Sequence, residues 1–142
     1  MVSILSRFSR DAEGVAAIEF AILAPLFICM MFSMIGWGIY LGVSHSVQQI
    51  AADTARVAIS GLSEGERESL ALNFVSSQQS GDFALIRKEK LKVQVADSKT
   101  IANQFTVMLT YDASDLPVWG LMTFVMPDPL IIKTATIRIG GL

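Results

Sequence analysis

Hydrophobic and polar positions divide the chain into stretches with different periods. From Val15 to Val43 the sequence would be apolar on every side of a helix, with Glu19 as its one charge. The part from Phe20 to Val43 contains no Asp, Glu, Lys or Arg, and as a helix it would rise about 36 Å, enough to cross a bilayer. Beyond it the pattern becomes one-sided. Val47, Ile50, Ala51, Thr54 and Ala58 recur at helical spacing, while Gln48, Gln49, Asp53, Arg56 and Ser60 fill the opposite face, so the same helix is predicted to continue in water until Gly61 stops it. Ser63 followed by Glu66 is a capping-box pattern, and Leu70, Ala71, Phe74 and Val75 then predict a short amphipathic helix ending before the polar run of residues 76–81. From Leu91 the period becomes two. Leu91, Val93 and Val95 alternate with Lys92, Gln94 and Ala96, and Phe105, Val107, Leu109 and Tyr111 alternate with Thr106, Met108 and Thr110. With the β-branched run from Ile131 to Ile139, these predict three strands, joined by connections too short for most parallel crossovers. The fold class is α+β: a long amino-terminal membrane-spanning helix leading into a small domain with a short helix and a three-stranded antiparallel sheet.

Composition agrees with an anchored small protein. Of 142 residues 52% are hydrophobic, with the excess concentrated in residues 15–43, and the first sixty or so leave about 80 residues for a domain, near the lower limit for an independent core. The net charge of −2 comes without a basic stripe, which argues against a nucleic-acid partner. Cys29, the single cysteine, forms no intrachain disulfide and reads as packing in lipid or between helices. The apolar run exceeds the 7–15 residues of a secretory signal core, and Gly42 and Ser44 make a poor signal-peptidase site, so a retained anchor is expected. Arg7 and Arg10 precede the span and the next cation is Arg56, which favours a cytoplasmic amino terminus.

Glu19 is the oddity within this anchor. A carboxylate near the hydrocarbon edge costs up to about 3 kcal/mol on insertion scales and needs water or a partner. It either snorkels outward or serves a purpose. Pro25 removes a backbone donor and is expected to kink the helix. Gly38 and Gly42 form a G-x-x-x-G pattern that Ser46 extends, a narrow strip for subunit helix packing.

Gly14-Val15-Ala16-Ala17-Ile18-Glu19-Phe20 resembles the processing site of type IV pilin-like proteins, in which a membrane aspartic peptidase cuts after the glycine. Together with Ala21 to Leu26, Gly36-Trp37-Gly38 and the Ala51-Ala52-Asp53-Thr54-Ala55-Arg56 block, it looks most like the TadE-like minor pilins of the tight-adherence (Flp) pilus system. The resemblance covers residues 7–60. It implies a leader at 1–14, a span at 15–43, a periplasmic continuation of the helix at 44–60 and an α+β periplasmic domain at 61–142. It also implies anchoring in a bacterial inner membrane, processing by a prepilin peptidase at Gly14 and Val15 with Glu19 and Phe20 in the recognised segment, and other pilin-like and pilus-assembly subunits as partners, with Glu19 setting the register between neighbouring helices. The alternative is an uncleaved accessory protein that stays in the membrane and scaffolds the machine.

Other chemistry has little support in the sequence. His45 has no second His or Cys near it for a metal site, and no glycine-rich phosphate loop occurs, so neither a cofactor, a small-molecule substrate nor an enzymatic activity is expected. Asp112 and Asp115 read as turn formers, and Asp53 with Arg56 as a surface ion pair. The uncharged segment from Leu116 to Pro127 is too apolar to lie fully exposed. It either completes the core over the sheet or offers a docking surface anchored by Trp119 and Phe124.

Overall fold

The computed structural model describes residues 12–77, 85–121 and 126–140. Helix α1 runs unbroken through Pro25 from Ala12 to Ala58, 47 residues, or about 70 Å. Helix α2 spans Glu64–Ser77, strand β1 Leu91–Asp97, strand β2 Gln104–Asp112, helix α3 Pro117–Leu121 and strand β3 Leu130–Arg138. The three strands form an antiparallel meander in the order β1-β2-β3, as the alternation predicts. β2 is the central strand, so its inward row of Phe105, Val107, Leu109 and Tyr111 is completely covered while its outward residues remain accessible. Thr106 and Thr136 face each other across the outer surface with their hydroxyls 2.9 Å apart.

One layer is this sheet and the other is α1 with α2. The apolar stripe of α1 lies on the sheet: Val47, Ile50, Ala51, Thr54, Ala55 and Ala58 are buried, and the small residues let helix and sheet backbones approach closely. Thr54 is a buried polar exception whose hydroxyl donates to the Ile50 carbonyl at 2.7 Å, so nothing is left unpaired. The core has two lobes. Nearer the amino-terminal part of α1, Val43, Val47 and Ile50 pack with Leu109, Tyr111, Trp119 and Ile131. At the far end, Ala55, Ala58 and Ala71 pack with Val95, Phe105 and Val107.

The turn between the helices works by close approach. Gly61 does not take a left-handed conformation. A Cβ there would lie 2.7 Å from the backbone nitrogen of Arg67, so α2 can fold back on α1 only over a hydrogen side chain. The capping box forms with a shift of one residue: Ser63 Oγ accepts from the Glu66 amide, while the Glu66 carboxylate accepts from the Leu62 amide at 2.8 Å. Arg67 then ties α2 to β1. Its Nη1 donates to both carboxylate oxygens of Asp97, at 2.6 and 2.8 Å, and its guanidinium lies 5.2 Å from the Phe105 ring centroid.

The packed part of the helix begins earlier than the apolar pattern suggests. Gly36 is already buried, with Met126 Sδ 2.9 Å from where its Cβ would stand, and Ile39 and Tyr40 pack onto the first lobe. The domain therefore reaches into the stretch 15–43 that the sequence alone assigns to the bilayer, because Gly36, Tyr40, Val43, Val47, Ile50 and Thr54 recur on one face with alternating steps of four and three.

Candidate functional segment: the uncovered helix

From Val15 to Ile35, α1 has no buried residue. Ile18, Phe20, Ile22 and Leu26 are each more than 60% exposed, which no water-soluble surface sustains over such a length. The helix is long and apolar enough to cross a membrane, and about 31 Å of it is bare.

Gly14, Val15, Glu19 and Phe20 lie at its amino-terminal end. Val15 is half exposed, Phe20 is 73% exposed, and Glu19 is exposed, with no ion pair to a described residue. Helical geometry puts Glu19 about 7.5 Å along the axis from Gly14. Gly14 is half-buried, whereas the Glu19 carboxylate is exposed and open to another protein.

The glycine pattern divides between two faces. At Gly38 and Gly42 an added Cβ would meet nothing within 4 Å, and Ser46 donates to the Gly42 carbonyl at 3.0 Å. That strip is open. Gly36, by contrast, is the glycine that contacts the domain, with Met126 and Val118 against it. Gly36, Trp37 and Gly38 are adjacent in the sequence; the signal that separates them is the four-three spacing running back from Val43.

In the segment after Leu116, Trp119 packs into the core. It is 6% exposed, its Nε1 donates to the Pro127 carbonyl at 2.9 Å, and its ring meets Tyr40 edge-on at 6.1 Å. Its large apolar surface is better covered by α1 than by water, so it completes the core; Phe124 lies outside the described residues. Tyr40 in turn meets Trp37 at 5.7 Å, and Trp37 is 41% exposed. An aromatic series thus leads from the core to the surface at the point where the bare helix begins.

The two turn aspartates differ. Asp112 accepts from the Ser114 amide at 3.0 Å, and hydrogen bonding from Ser114 holds its carboxyl below the usual range. Asp115 instead receives Lys90 at 3.1 Å and Arg87 at 2.6 Å. The Lys90 hydrogen bond, more than the nearby Arg87 charge, holds its carboxyl low. It fastens the turn before β1 to the loop after β2, a role that spacing does not reveal. Asp53 and Arg56 pair at 2.7 Å on the surface, as expected. His45 and Cys29 are exposed on α1, and among the described residues no group of three or more His, Cys, Asp or Glu could hold a metal ion.

No curated protein and no solved structure matches the chain. A family model does, and its limits are informative: it begins at Gly14, at the start of the bare helix, and ends at Arg56, in the last turn of the packed part. The model is that of the TadE-like protein family and matches residues 14–56, so along this helix the chain is similar to TadE-like proteins.

Proposed function

We propose that the chain is a minor pilin of a tight-adherence (Flp) pilus, made as a precursor and cut between Gly14 and Val15 by a prepilin peptidase. The observation that carries this reading is the bare helix: about 31 Å of exposed apolar surface, with Glu19 and Phe20 exposed near its end, is suited first to a bilayer and then to the helices of other pilin-like subunits. The chain acts as a structural subunit in this reading. Its amino terminus faces the cytoplasm and the domain the periplasm.

Cleavage would create an α-amino group on Val15, cationic at neutral pH, in the same membrane layer as Glu19. Within one helix that amine points along the axis, so the Glu19 of a neighbouring subunit is at least as good a partner. Pairing between neighbours would offset the cost of both charges and set the axial register of adjacent helices. Glu19→Ala should therefore leave insertion intact or improved and cleavage at least partly intact, while lowering pilus output. Normal output with normal processing would reduce Glu19 to a snorkelling carboxylate. The cut itself is read by intact mass of membrane-extracted protein, expected to begin at Val15 in the native chain and at Met1 in Gly14→Leu. A native chain beginning at Met1 would establish the uncleaved accessory protein instead.

A further inference from the structure

The junction between bare and packed helix has a chemistry of its own, and it faces the same way as the aromatic series. We propose that the partner of this junction is the lipid headgroup layer: the domain sits directly on the bilayer, with Trp37 and Tyr40 at the interface and α3 against the headgroups, and this seat fixes how deep the helix enters. The proposal rests on the reading that the bare helix spans a membrane.

Three observations support it. Exposure along α1 changes at Gly36, where Met126 and Val118 close onto the helix, so sliding the helix deeper would drive the domain's own base into hydrocarbon. Trp37 and Tyr40 stand at that level in edge-on contact, and Trp and Tyr are the residues that prefer the membrane–water boundary. The distances also agree. About 27 Å of helix rise separates Trp37 from Glu19 and about 35 Å separates it from Gly14, against a hydrocarbon thickness of about 30 Å. With Trp37 at one interface, Glu19 falls just inside the opposite hydrocarbon edge and Gly14 just outside it, among the headgroups. A span placed with Val43 at the interface would instead pull the Val118 and Met126 contacts below the surface.

Charge does not select the lipid. The strand register brings the start of β1 beside the end of β2 and the start of β3, and the four basic residues of 87–92 at this end are matched by Glu89, Asp112, Asp115 and Asp128. The seat should form equally on zwitterionic and anionic surfaces.

The test uses the full chain with Cys29→Ala, reconstituted in phosphatidylcholine vesicles with and without phosphatidylglycerol. Single cysteines are introduced as Met34→Cys, Leu41→Cys, Gly120→Cys and Lys99→Cys, all at exposed positions. An impermeant maleimide should modify Leu41→Cys readily and Met34→Cys more slowly by an order of magnitude or more until detergent is added. A fluorophore on Gly120→Cys should be quenched by a headgroup nitroxide, while one on Lys99→Cys, at the far end of the sheet, should not. Met34→Cys reacting freely in vesicles would remove the membrane anchor and the seat together. Protection of Met34→Cys with no quenching at Gly120→Cys would keep the anchor and overturn the seat. Protection extending to Leu41→Cys, or a seat seen only with phosphatidylglycerol, would likewise overturn it.

Discussion

Val15–Ile35 and Val43–Ala58 belong to one continuous helix, and both are rich in apolar residues, yet the first has no buried residue and the second forms one side of the core. The first is apolar all round; the second is apolar along one stripe with Gln48, Gln49 and Arg56 on its back. A stripe specifies a single partner, a sheet face of matching width. An all-round apolar surface specifies a solvent, either lipid or a ring of similar helices. Hydrophobicity alone therefore does not mark the core of this protein, and periodicity does.

The largest expected effect breaks this contrast directly. Ile50→Ala removes a side chain that is 2% exposed between helix and sheet and should lower domain stability by about 2–5 kcal/mol. Ile22→Ala makes the same chemical change at a site 69% exposed on the bare segment, and should change domain unfolding by less than about 0.5 kcal/mol. Urea unfolding of both variants in mild detergent compares them; equal losses would mean that the bare segment folds back onto the domain.

The two buried glycines of the helix and its turn sharpen the comparison. At Gly61 an added methyl meets the backbone of Arg67 at 2.7 and 3.0 Å, which cannot yield without moving α2, so Gly61→Ala should cost about 1–3 kcal/mol. At Gly36 the obstacle is the flexible end of Met126. Gly36→Ala should accordingly be tolerated far better, as measured by the midpoints of the two variants in the same unfolding experiment; a larger loss at Gly36 would make the junction the tighter of the two contacts.

The smallest effect is a pH dependence at the edge of the domain. Lys90 and Arg87 lower the Asp115 pKa in the folded state below its ordinary value of 3.8. The stabilisation is thus present above that pH and is lost as pH falls through the folded-state value. Asp115→Asn should be slightly less stable than the native chain near neutral pH, and the difference should vanish on acidification. An acid titration of unfolding with a constant difference between the two proteins would show that the ion pairs contribute nothing.

Much of this architecture follows from local pattern. Strict alternation in β2, the stripe from Val47 to Ala58 and the Ser63–Glu66 cap each concern residues within a few positions of one another, and each predicts its element. The candidate segment is legible for the same reason, since Gly14, Glu19 and an uninterrupted apolar run are linear features. Trp119, Gly36 and Asp115 were not legible. Their partners are Tyr40, Met126 and Lys90, and such distant contacts leave no periodic trace in the sequence.

The sequence by itself determined that a single helix would carry both an all-round apolar half and a striped half, and that a three-stranded antiparallel sheet would follow it. Only the tertiary structure decided where one half passes into the other. By composition the apolar stretch extends to Val43, because Leu41 and Tyr40 suit lipid as well as they suit a protein core. Packing moves the boundary back to Gly36, where a missing side chain admits Met126 and the aromatic contacts of Tyr40 with Trp119 close the domain onto the helix. Hydropathy cannot distinguish those two environments; shape complementarity between segments more than seventy residues apart in the chain can.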